Sequence, residues 1–111
     1  MLNLTQHLGT AEQGVNEPKN KALVQKLLTF EELPDFAEMV GRAEDLAEIC
    51  KEVGENSAMI GGAPFFMAIL EKALAREGIK AFYAFSVRES IDKEDGTKVS
   101  VFRHKGFIEA M

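Results

Sequence analysis

Three polar clusters hold the side chains that could do chemistry: Thr5-Gln6-His7 near the start, Gly61-Gly62 inside "MIGGAPFFM", and Ser86-Val87-Arg88-Glu89 inside "AFSVRES". His7 brings an imidazole, the side chain best suited to take or give a proton near neutral pH. Arg88 brings a planar fork that matches phosphate or carboxylate. Gly61 and Gly62 permit positive φ and close approach of backbone N–H groups. Pro64, just after them, suits the first turn of a helix whose N-terminal N–H groups and dipole favour an anion. The same glycines could equally serve only a tight strand-to-helix turn. They form neither a GxGxxG fingerprint nor a phosphate loop, which needs Lys and Ser or Thr after the glycines.

Two further candidates, Arg103 and His104, lie on the far side of an Asp95-Gly96 turn signal. A two-residue loop there would set Arg88 opposite Arg103 and Val87 opposite His104. Like charges directly opposed destabilise a sheet. That leaves three alternatives: another register, relief by Glu89 or Glu109, or an anion held between the arginines. Other constellations are missing. Two histidines without HExxH or CxxC spacing give no reason to expect a metal or cofactor. Ser86 and Ser90 lack a G-x-S-x-G context. Met59, Phe65, Phe66 and Met67 read as core, and Cys50, at core spacing on a helix, reads as a buried thiol rather than a nucleophile.

The elements that must position these residues follow from periodicity. Leu2 to Thr5 alternate as a short strand. Ala22, Leu23, Leu27 and Leu28 recur at helical spacing, giving a helix near residues 18 to 28 that begins at Pro18. Asp35 with Glu38 makes a capping-box start for a second helix, whose stripe Phe36, Met39, Val40, Ala43, Leu46, Ala47, Cys50 and Val53 ends at Gly54. "SAMI" is a short buried strand, and Pro64 and Gly78 bracket a third helix. "IKAFYAFSV" is apolar enough for a strand covered on both faces. "EDGT" then turns the chain into a return strand, "KVSVFRHKGFIEA", bent at Gly106. The order β-α-α-β-α-β-β predicts a single three-layer Rossmann-like α/β domain over residues 1–111, with a small, mostly parallel sheet and a C-terminal antiparallel hairpin. Ligands of such sheets bind beyond the carboxyl ends of the strands, near a reversal of strand order, which would gather all three clusters on one rim.

Composition narrows the class of protein. The 111 residues are 46% hydrophobic and 28% charged, as in ordinary globular domains. A formal net charge of −5 gives no general basic surface with which to grip duplex nucleic acid. One cysteine points to a reducing cytoplasm, and neither a signal peptide nor a run of membrane-spanning length is evident. A soluble, cytoplasmic protein is expected.

The segments "LNLTQHLGTAEQ", "AMIGGAPFFMAILEKAL" and "IKAFYAFSVRES" together resemble the arrangement in small CRISPR-associated proteins of the ring-nuclease-like group. There, a first strand ends in a polar Ser or Thr/His segment followed by a Thr-x-Glu-Gln helix start. The resemblance implies a Rossmann-like homodimer of antiviral defence that binds a cyclic oligoadenylate on its two-fold axis. It also implies metal-independent cleavage, in which a ribose 2′-hydroxyl attacks the adjacent phosphate. By position, Thr5, Gln6 and His7 match the polar segment, Gly61 and Gly62 the turn near phosphate, and Arg88 a phosphate contact. The candidate catalytic residues are thus His7, Gln6 and Arg88. The candidate residues for a small anionic ligand or cyclic oligonucleotide are Thr5, Gly61, Gly62, Ser86, Glu89, Arg103 and His104. The alternative is a non-catalytic small-ligand sensor or protein-interaction module. The hairpin "RESIDKEDGTKVSVFRH" is longer than that group leads one to expect.

Overall fold

The computed structural model describes residues 1–110. In chain order its elements are β1 (Leu2–Leu4), α1 (Lys21–Leu28), α2 (Phe36–Glu52), β2 (Ser57–Ile60), α3 (Pro64–Arg76), β3 (Lys80–Asp92) and β4 (Lys98–Glu109). They form the mixed α/β fold that the element order predicts. β1, β2 and β3 are parallel neighbours and β4 adds antiparallel to β3.

Helix ends follow local chemistry. The Asp35 carboxylate accepts from the Glu38 N–H at 2.8 Å and so caps α2. α1 starts later than the proline signal suggests, because the Asn20 side chain accepts from the Leu23 N–H at 3.0 Å and makes Asn20 the cap. Pro18 is instead buried in the preceding loop. On α2, Ala43, Leu46, Ala47 and Cys50 are buried, whereas Phe36 and Val53 at the two ends of the expected stripe are exposed.

Strand order runs β1-β2-β3-β4 without a reversal. Register puts Leu2, Leu4, Ala58, Ile60, Ala81 and Tyr83 on one face. The buried side chains of all three helices join that face in one core that includes Val24, Leu46, Phe66 and Leu70. The second face carries Asn3, Met59, Phe82 and Ala84. Its cover is the N-terminal segment: Asn3 bonds to His7 and Glu17, and Glu12 reaches β4. A sheet without a reversal has no switch-point crevice between helices on opposite faces, so a ligand site must be built from strand ends and this segment.

β3 and β4 outgrow the sheet. β2 ends where Ile60 pairs with Tyr83, so β3 beyond that point has only β4 beside it. The strand expected to be covered on both faces is therefore covered only at its start: Ala81 is buried, while Ala84, Phe85 and Ser86 are exposed. The pairing from Ser86–His104 to Asp92–Lys98 forms a projecting two-stranded arm.

The register of that arm differs by one residue from a two-residue loop. Lys93 to Thr97 make the turn, with the Lys93 N–H donating to the Thr97 carbonyl at 2.8 Å and the Asp95 carboxylate accepting from the Thr97 N–H at 3.0 Å. Arg88 consequently faces Phe102, and Arg103 faces Val87. The arginines are not opposed, and no anion is needed between them. The irregularity between Phe85 and Ser86 falls at Gly106, whose φ of 152° accommodates the expected bend.

Candidate functional site

The carboxyl ends of β1 and β2 meet. A Cβ placed on Gly61 would lie 3.7 Å from Cγ2 of Thr5, an ordinary contact, and Gly62 follows with a φ of 151°. α3 then begins at Pro64 with no side chain bonded to its first turn. A cleft of about 350 Å³ lies over this junction, with Thr5, His7, Gln13, Gly61, Gly62 and Tyr83 among its walls.

What fixes this rim is a residue that the chemistry-bearing clusters do not include. Asn3 is fully buried. Its amide nitrogen donates to the His7 carbonyl at 2.8 Å and to the Glu17 carboxylate at 3.1 Å. Its oxygen accepts from the Thr5 N–H at 3.0 Å and the Thr5 hydroxyl at 2.7 Å. Lys21, from the first turn of α1, donates to the carbonyls of Thr5 and His7 at 2.7 and 2.8 Å and pairs with Glu17 at 3.3 Å. Glu17 also accepts from the Gly9 N–H at 2.7 Å. Burial pushes the Glu17 carboxyl up, but the Gly9 N–H, the Asn3 amide and the Lys21 ammonium outweigh it and hold the group below its ordinary value. The His7 carbonyl is thus held by two donors, the Asn3 amide and the Lys21 ammonium, while the residue itself stays exposed. The asparagine in "LNL" is itself a signal, since a polar residue between buried leucines must have partners.

The other candidates are distributed differently. Gln6 is tied to α1: its side-chain amide donates to the Thr29 hydroxyl at 2.9 Å, and its backbone carbonyl accepts from the Gln25 amide at 2.9 Å. Arg88 lies five residues beyond Tyr83 on β3, about 16 Å along the strand, with its guanidinium 5.3 Å from the Phe102 ring centroid. Glu89 pairs with Lys105 at 3.1 Å and Arg103 at 3.5 Å. Arg103 also meets Glu12 at 3.1 Å. The structure therefore gathers Thr5, Gln6, His7, Gly61 and Gly62 around the cleft, with Gln6 also bonded to α1, and leaves Arg88, Glu89 and Arg103 on the arm.

Ser86 and His104 line a second hollow of about 340 Å³ on the second sheet face, with Thr10, Glu12, Gln13 and Phe102. Gln13 borders both hollows. The Glu12 carboxylate accepts from the His104 N–H at 3.1 Å and from Arg103, and these bonds hold it below its ordinary range. Glu12 thereby ties the N-terminal segment to β4.

A larger hollow, about 590 Å³, lies where α1 passes into α2. Of the two cations that line it, Lys26 and Arg42, the arginine is already engaged: it donates to the carbonyls of Lys26, Leu27 and Thr29 at 3.2, 3.3 and 2.6 Å and lies 4.4 Å from the Phe30 centroid. That arrangement closes the C-terminus of α1 and offers less chemistry than the rim. Among the described residues no group of three or more His, Cys, Asp or Glu is placed to hold a metal ion, and no helix is long and apolar enough to cross a membrane.

Fold and site together define a small α/β protein with one histidine-bearing cleft at the ends of parallel strands. The chain belongs to the uncharacterized protein MJ1673 family, whose model matches residues 1–108. No curated protein and no solved structure matches it.

Proposed function

We propose that this protein binds a nucleotide or cyclic oligonucleotide at the rim of β1 and β2, with a phosphate resting against the Gly61-Gly62 turn and the first turn of α3. The supporting observation is that His7, Gly61 and Gly62 border one cleft, and that the uncapped start of α3 follows Gly62 directly in the chain. In a ring-nuclease reading, His7 acts as the base that helps a ribose 2′-hydroxyl attack the adjacent phosphorus. Backbone N–H groups face the developing charge, and the leaving 5′-oxygen takes up a proton. Duplex nucleic acid and membranes are not its partners, and it works in the cytoplasm.

A non-catalytic sensor is the second reading, and one observation favours it. The cleft walls carry no lysine or arginine side chain, and Arg88 is remote. Binding then proceeds without turnover.

The protein acts as a homodimer in either case. The arm supports this, because a two-stranded ribbon alone is marginal in water, and this one exposes Ile91 and Phe102. Incubation with labelled cyclic tetra- and hexa-adenylate in chelator separates the readings. Cleavage lost in His7→Ala supports the nuclease, binding without cleavage supports the sensor, and neither binding nor cleavage overturns both.

A further inference from the structure

The hollow beside the rim carries an inference that rests on the nucleotide reading and deepens it. Phe102 is a large aromatic on an exposed strand face, 69% accessible. The Arg88 guanidinium lies over that ring, its central carbon 5.3 Å from the centroid. Planar cations and aromatic rings of this kind are the platforms on which heteroaromatic rings stack. Ser86 presents a hydroxyl at the same place, able to donate or accept. The Glu12 carboxylate, with two protein donors bound, has further lone pairs for an amino group. His104 contributes the one buried side-chain polar atom among the described residues that lacks a hydrogen-bond partner, its Nδ1. The His104 ring packs against Phe107, 4.7 Å between centroids, and closes one wall of the hollow. Because Gln13 borders both hollows, a ring bound here is separated from the rim by the width of one side chain.

We propose that the hollow of Ser86, Phe102, His104 and Glu12 is a base subsite. It takes a purine carrying an exocyclic amino group, stacked on the Phe102 ring, while the attached sugar phosphate reaches the Gly62 rim. The amino group donates to Glu12, and Ser86 meets the ring edge.

The full-length chain, labelled with nitrogen-15, is titrated with adenosine, with ribose 5-phosphate and with adenosine 5′-monophosphate while backbone amide shifts are followed. Adenosine is expected to move Gln13, Ser86, Phe102 and His104, ribose 5-phosphate to move Gly62 and Phe65, and the monophosphate to move both sets. Phe102→Leu, on an exposed side chain, keeps the fold. It is expected to weaken adenosine and the monophosphate by roughly tenfold or more while leaving ribose 5-phosphate unchanged. Adenosine that leaves the hollow unmoved, or a Phe102→Leu variant that binds it as the wild type does, overturns the base subsite. If adenosine moves the hollow while the phosphates leave the rim untouched, the subsite stands and the phosphate reading of the rim falls.

Discussion

Replacing Asn3 by Leu should unfasten the rim without touching any group that faces the cleft. Asn3 is fully buried and its side chain bonds to Thr5, His7 and Glu17. Leucine is similar in size but bonds to none of them. The His7 carbonyl keeps Lys21, and the Thr5 hydroxyl, freed from Asn3, can turn its proton to the same carbonyl 3.1 Å away. The Thr5 N–H loses its acceptor, at about 1 to 3 kcal/mol, and Glu17 loses one of its donors, at about 1.5 to 3 kcal/mol for a bond to a charged group. Leucine's apolar burial returns about 1.5 kcal/mol or somewhat more. The net loss is about 1 to 4 kcal/mol, or a fall in Tm of roughly 4 to 17 °C for a chain of this length. Urea unfolding with linear extrapolation measures it. A midpoint and slope equal to wild type would refute the reasoning that Asn3 fastens the strand end.

Further consequences concern the turn, the thiol and acid. Gly62→Ala should cost about 1 to 2 kcal/mol because of the φ of 151°. Gly61→Ala, with no positive φ and an ordinary contact to Thr5, should cost under about 0.5 kcal/mol; equal denaturant midpoints for the two variants would contradict this. Burial and the nearby Glu55 push the Cys50 thiol up to about 12, so a thiol reagent at neutral pH should react only as the protein unfolds; rapid labelling of the native chain contradicts its burial. Glu17 and Glu55 are both held below the ordinary carboxyl value of 4.5. Their contribution to stability is therefore complete above that value and is lost as pH falls through their folded-state values. A Glu17→Gln variant should show a shallower loss of stability in acid than wild type, and parallel pH profiles would count against the network around Asn3.

The class of fold was legible in the chain because its punctuation is local. Asp35, Pro64, Gly54 and Gly78 act within a turn of where they stand, and the apolar stripe of α2 needs no tertiary information to be seen. The projecting arm was not legible, because "IKAFYAFSV" is equally apolar whether or not a neighbour covers it. Only the shortness of β1 and β2 leaves its second half without a parallel partner. The arm's register turned on whether Lys93 and Thr97 join the turn or the strands, a choice made by a few hydrogen bonds, and one residue of slip moved Arg103 from Arg88 to Val87. For the site, Thr5, His7 and the glycines could be placed by the rule of strand ends. Gln6 lines the same cleft, but its bonds to Gln25 and Thr29 could not be foreseen, since those partners are distant in sequence. Arg88 was misplaced by the assumption that β3 ends level with β2.

The central claim is that the rim around His7 and Gly62 holds a nucleotide phosphate. Calorimetric titration of the wild-type chain with cyclic tetra-adenylate in the presence of chelator tests it most directly. The account predicts saturable binding with one ligand per two chains, weakened in His7→Ala. Titrations without heat of binding, or affinity unchanged in His7→Ala, would contradict it.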